Sequence, residues 1–117
     1  MNSPKRLLVT GAAGSIGKTV CSAWEKNSNY TLTCCDILKN KDVSYPIEFA
    51  DFGDYDRMRQ LCLDQDVLLH LAYIPQKNLG KQEHETSDIA ANIALFEAAR
   101  ESGVNASCLQ VQTMSRV

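Results

Sequence analysis

The strongest constraint on this chain is a regular alternation of short apolar runs with helical ones, starting at "RLLVT" (6–10). That run stops at Gly11, as a strand covered on both faces does. From Gly14 to about Asn27 the apolar residues Ile16, Val20, Ala23 and Trp24 recur at helical spacing, until the polar "NSN" ends the segment. "YTLTCCDI" (30–37) is a β-rich run ending beside an aspartate, and "YPIEFAD" (45–51) reads as a short third strand. "GDYDRMRQLCLDQ" (53–65) sets Met58, Leu61 and Cys62 on one helical face, with Asp54 and Asp56 in the first turn, where the helix dipole favours them. "DVLLHLA" (66–72) is the clearest strand. Polar "PQKNLGKQEHETS" (75–87) reads as a loop, and "DIAANIALFEAARES" (88–102) as a helix with Ile89, Ile93 and Phe96 on its apolar face and Gly103 as its stop. "ASCLQVQ" (106–112) is the fifth strand.

Strands and helices in turn imply βα units and a parallel sheet, wound outward in both directions from the first strand by right-handed crossovers. The expected fold is α/β, a doubly wound sheet in the order 3-2-1-4-5, with one domain over residues 1–117. At 44% hydrophobic and 22% charged residues the chain has the makeup of an ordinary globular protein. A net charge of −2 supplies no basic field for nucleic acid or an anionic membrane. The five cysteines lack any CxxC spacing, and Cys34 and Cys35 are adjacent, so they read as buried, reduced thiols rather than zinc ligands or disulfides. "RLLV" is too short for a secretory signal, and no apolar stretch approaches the roughly 20 residues of a membrane span, so a cytoplasmic location is expected.

Glycines 11, 14 and 17 follow the first strand and open the first helix. In a doubly wound sheet that loop borders the crevice where ligands bind. Gly11 lets the chain turn off the strand, Gly14 leaves room for a phosphate, and Gly17 lets the helix pack close. The helix start, with its free N–H groups and positive dipole end, suits a pyrophosphate. Asp36 lies 19 residues beyond Gly17, at the end of the second strand. A carboxylate there accepts hydrogen bonds from the adenosine ribose and repels a 2′-phosphate, which favours NAD over NADP. Gly17-Lys18-Thr19 imitates the end of a P-loop, but the glycine required five residues earlier is Ala12, so ATP and GTP are disfavoured.

"TGAAGSIG" (10–17) resembles the TGxxGxxG fingerprint of short-chain dehydrogenases/reductases, and specifically their extended branch, the NAD-dependent epimerase/dehydratase family. "ADFGDYD" (50–56), "DVLLHLAY" (66–73) and "ANIALFEAARESGV" (91–104) resemble further segments of that branch, in the right order. The resemblance implies a Rossmann-type fold and an NAD site formed by Gly11, Ala13, Gly14, Ser15, Ile16, Gly17, Asp36, Ile37, Leu71, Ala72 and Tyr73. It also sets Asp51 at the adenine, with Phe52 flanking it. Thr113, in "QTMSRV", is the best match to the hydroxyl that the family brings near the nicotinamide. His70, in an apolar run, reads as a packed strand histidine, no residues stand at metal-ligand spacing, and the family's helix asparagine, counted back from "FEAAR", falls on Asp88 rather than Asn92, so neither residue carries over.

The family's Tyr-x-x-x-Lys pair acts from one helical face after the fifth strand. Here the sequence has that spacing only at Tyr73 and Lys77, before the fifth strand and interrupted by Pro75, so no catalytic residue is assigned. The expectation is the NAD-binding part of an oxidoreductase or epimerase, truncated after its fifth strand. Its partners would be the dinucleotide and, through a C-terminal part, a small sugar-type substrate, with a homodimer left open. An exposed sheet edge would make such a fragment self-associate. A non-catalytic nucleotide sensor, or an inactive short product, stands as the alternative.

Overall fold

The computed structural model describes residues 4–38, 43–72 and 81–104, with the backbone alone for 81–88. Its elements are β1 (Lys5–Thr10), α1 (Ser15–Trp24), β2 (Tyr30–Asp36), β3 (Ile47–Phe49), α2 (Tyr55–Cys62), β4 (Val67–His70) and α3 (Lys81–Glu101). The four strands form one parallel sheet in the order β3-β2-β1-β4. This matches the first four strands of the expected order; the expected fifth strand, 106–112, lies outside the described residues.

The period of two along each strand sorts the core into two layers. Leu8, Cys35 and Leu68 point to one face, where they meet Met58, Leu61 and Cys62 of α2 and Leu95, Ala98 and Ala99 of α3. Val9 and Cys34 point to the other, against Cys21 of α1, with Tyr45 and Leu71. Helices thus cover both faces of a sheet whose central strand, β1, is buried from Leu7 to Thr10. That is why "LLVT" is apolar almost without alternation.

α2 follows its sequence reading closely. Met58, Leu61 and Cys62 are its buried residues, and Asp54 is its N-cap, accepting a hydrogen bond from the Arg57 N–H at 3.2 Å. α1 is more sparing than the spacing suggested: it buries Gly17 and Cys21, while Ile16 and Ala23 are exposed and Trp24 stacks on Tyr30 at 5.4 Å.

Two expectations about α3 are corrected. The helix already runs from Lys81, so the second half of the expected loop 75–87 is helical. Lys, Gln and Glu are strong helix formers, and their polarity had masked that propensity. The helix also presents a different face to the core. Ile89 and Ile93 are 59% and 57% exposed, and the buried residues are Ala91, Leu95, Ala98 and Ala99. Packing favours the alanines because small side chains let α3 approach α2 closely, a gain that residue hydrophobicity does not register.

Candidate functional site

The first turn after β1 is built on backbone contacts. Gly11 has φ +72°, and a Cβ there would lie 2.6 Å from the Ala72 nitrogen and 2.7 Å from the Leu71 carbonyl carbon. Only glycine turns the chain off β1 this close to the end of β4. A Cβ on Gly17 would sit 2.1 Å from the Gly11 oxygen and 2.8 Å from the Ala12 Cα. The close packing expected of Gly17 is therefore against the glycine turn itself rather than the open face of the sheet. Gly14 differs: a Cβ there would meet only the Gly11 oxygen, at an ordinary 3.5 Å. The protein interior does not demand glycine at 14, and any reason for it lies on the cavity side.

The turn opens on a cavity of about 250 Å³ lined by Thr10, Gly11, Gly14, Cys35, Asp36, Ile37, Leu38, Ala50, Asp51, Phe52, Leu71 and Ala72. It lies over the ends of the strands at the switch between β1 and β4, where an open α/β sheet binds its ligands. Eight of the expected site residues line it: Gly11, Gly14, Asp36, Ile37, Asp51, Phe52, Leu71 and Ala72. Ala13, Ser15, Ile16 and Gly17 stand behind or beside it, in the turn and the first turn of α1. Tyr73 and Thr113 lie outside the described residues.

Asp36 ends β2 at the cavity. Its Oδ2 accepts the Ala13 N–H at 2.8 Å and its Oδ1 the Leu38 N–H at 3.1 Å. Each oxygen retains acceptor capacity for a further donor. Asp51, exposed, caps its own turn by accepting the Gly53 N–H at 2.8 Å. Phe52 is buried, its ring 4.7 Å from that of His70 and edge-on to it, so it belongs to the core as well as to the cavity wall.

Under the cavity lies a buried polar chain that sequence reasoning did not assemble. The Thr10 hydroxyl oxygen accepts from the Leu71 and Ala72 N–H groups at 3.1 and 3.3 Å, so its own hydrogen goes to His70 Nδ1 at 2.6 Å. Nδ1 is then an acceptor, and Nε2–H donates to Asn92 Oδ1 at 2.7 Å. His70, fully buried between Phe52 and Phe96, is a packed strand histidine as its apolar surroundings implied. Asn92 is thus the partner of His70 on α3, and the side chain of Asp88 lies outside the described residues. The pairing joins β1, β4 and α3 across 60 and 22 positions, a separation that no local pattern encodes.

On the opposite face of β2, the Cys21 and Cys34 sulfurs lie 3.5 Å apart, both buried, and the Tyr45 hydroxyl donates to the Ala12 carbonyl at 2.8 Å. Burial pushes the Tyr45 phenol up to about 12 and the Cys35 thiol to about 12. Hydrogen bonding between the paired thiols lowers Cys21 and raises Cys34. The four described cysteines are all buried, as expected, and carry free thiols. Among the described residues no group of three or more His, Cys, Asp or Glu could hold a metal ion, and no helix is long and apolar enough to cross a membrane.

A parallel sheet covered on both faces, with a glycine turn and an acid at the cavity over its switch point, defines a doubly wound α/β domain of the dinucleotide-fold class. The model of the NAD dependent epimerase/dehydratase family matches residues 7–116, and the chain belongs to that family. No curated protein matches it. Among solved structures, a uronate dehydrogenase variant from Agrobacterium tumefaciens complexed with NAD is similar at 27% identity and a TM-score of 0.65, over 85% of this chain and 37% of that one. A glucuronic acid dehydrogenase from Chromohalobacter salexigens is similar at 25% identity and a TM-score of 0.70, over 87% and 39%. An ADP-L-glycero-D-manno-heptose-6-epimerase from Helicobacter pylori, at 20% identity and a TM-score of 0.71 over 89% and 38%, shares the fold. The chain spans less than two fifths of the length of each of these structures.

Proposed function

We propose that this chain binds NAD, and that it forms the dinucleotide-binding part of an oxidoreductase or epimerase acting on a sugar or sugar nucleotide. The observation that carries the reading is the cavity at the glycine turn, with Asp36 at its edge and the start of α1 beside it. The N–H groups of Ser15, Ile16 and Gly17 have no acceptor within the helix, which suits a pyrophosphate passing over Gly14. Asp36 keeps lone pairs for ribose hydroxyls, and its charge opposes a 2′-phosphate. Ile37, Asp51 and Phe52 are assigned to the adenine end, and Leu71 and Ala72 to the side nearer the nicotinamide, where Tyr73 and Thr113 are proposed to follow.

When bound, the nicotinamide supplies a hydride acceptor or donor. This chain's residues bind, orient and select the dinucleotide; no proton-transfer role is assigned to any of them. The similarity to NAD-complexed uronate dehydrogenase supports a sugar-type substrate, which a C-terminal part would recognise. Titration with NADH, NADPH and ATP tests the reading. NADH is expected to bind at least tenfold tighter than NADPH, with ATP weaker than NADH. Absence of NADH binding, or a preference for NADPH, would overturn it.

A further inference from the structure

The sequence gives no reason to connect Tyr45 with the glycine turn, 33 positions away. Among the described residues that turn is held from outside at three successive points. The Ala12 N–H donates to the Cys35 carbonyl at 3.2 Å, the Ala12 carbonyl accepts the Tyr45 hydroxyl at 2.8 Å, and the Ala13 N–H donates to Asp36 at 2.8 Å. The peptide planes on both sides of Ala12 are thereby fixed from the β2–β3 side. Tyr45 is the only one of the three anchors that reaches the turn from outside β2.

Its surroundings make the anchor durable. Tyr45 is 6% exposed and packs in the layer that contains Val9, Ala12, Cys21 and Cys34, so its hydroxyl also lies by the Cys21 thiol of α1. A phenol raised to about 12 by burial stays protonated, and hence a donor, throughout the neutral range. A loop ordered before a ligand arrives does not lose that freedom on binding.

We propose that Tyr45 is a positioning residue for the dinucleotide pyrophosphate, acting through the Ala12 carbonyl to hold the turn that leads into α1. The inference rests on the NAD-binding reading above. It divides the ligand in two: the pyrophosphate depends on the turn and on Tyr45, whereas the adenosine end depends on Asp36, Ile37 and Asp51.

The test is Tyr45→Phe in the full chain, which removes one oxygen and keeps the ring. NADH and adenosine affinities are measured by fluorescence and by ligand-observed NMR, at a temperature well below both melting points. NADH affinity is expected to fall about fivefold to tenfold, the equivalent of one lost hydrogen bond. Adenosine affinity is expected to stay within twofold. Unchanged NADH affinity, or equal losses for both ligands, overturns the proposal, since a merely structural tyrosine would not discriminate between them. Failure of the NAD reading looks different, because the unmodified chain itself then fails to bind NADH; the Tyr45 proposal falls with it. Hydrogen exchange on the unmodified chain gives a readout that does not depend on the variant folding. The Ala13 amide should be protected to within tenfold of the Val9 amide before any ligand is added, and rapid exchange there overturns the proposal as well.

Discussion

Gly17→Ala and Gly14→Ala differ by three positions, and the structure separates their consequences. A methyl on Gly17 would stand 2.1 Å from the Gly11 oxygen, a full 0.9 Å inside the 3.0 Å below which such contacts essentially never occur. Both crowding neighbours, the Gly11 carbonyl and the Ala12 Cα, are backbone, so no side chain can swing aside. Overpacking of this kind costs about 1–3 kcal/mol, and rigid backbone sets it near the upper end. Alanine recovers about 1 kcal/mol of helix propensity, leaving a net loss of about 2 kcal/mol. At about 4 °C per kcal/mol, Tm falls by about 8 °C, and more if the turn is displaced. Gly14→Ala meets only a 3.5 Å contact, and its change of N-cap residue costs under about 1 kcal/mol, so Tm should fall by less than about 4 °C. Its effect should appear in NADH titration instead, as at least a tenfold loss where the methyl occupies the phosphate path. Thermal melts by circular dichroism with parallel NADH titrations check both. A Gly17→Ala chain melting within about 2 °C of the unmodified one would refute the packing argument, and full NADH affinity in Gly14→Ala would refute the phosphate path.

Three further outcomes follow from the core. Thr10→Val removes the hydroxyl that serves His70 Nδ1 and the Ala72 N–H, and should cost about 1–3 kcal/mol in urea unfolding; a loss below about 0.5 kcal/mol would show that the chain Thr10–His70–Asn92 is not formed. Nitrogen-15 NMR of the unmodified protein should find His70 neutral with its proton on Nε2, and a proton on Nδ1 would contradict the donor order derived from Thr10. Alkaline stability should fall from pH 9 upward. Cys35 titrates near 9.0 when unfolded and is raised to about 12 by burial, so between those values the unfolded chain sheds its proton first and folding stability falls by about 1.4 kcal/mol per pH unit; Tyr45, raised from 10.0 to about 12, joins above pH 10. Flat melting temperatures from pH 8 to 11 would count against both burials.

The fold was legible because its signals are local. "LLVT" buried on both faces, Met58, Leu61 and Cys62 on one side of α2, and the acid at the end of β2 are each written within a few residues. α3 was misread for the opposite reason. Its inner face is chosen by its neighbour: alanines at 91, 98 and 99 fit against α2, while the larger Ile89 and Ile93 stay outside. A hydrophobic pattern ranks residues by size and apolarity, and it has no term for how closely two helices must approach.

The same division runs through the candidate site. The three glycines look alike in sequence, and their spacing, with three further segments in order, carried the family resemblance. Their physical reasons differ: Gly11 has a left-handed φ and abuts β4, Gly17 abuts the turn, and Gly14 is free of the protein's own demands. That asymmetry is the strongest argument that a ligand belongs there. If the turn served only to connect β1 to α1, position 14 would accept most small residues, and the cavity it lines would have no use for the missing side chain. The hold of Tyr45 on the turn and the bond of His70 to Thr10 were not legible, because those partners lie 33 and 60 positions away. What the sequence could not reveal is how the turn is kept still, and a phosphate-binding turn that must be held in place needs those distant partners as much as it needs its glycines.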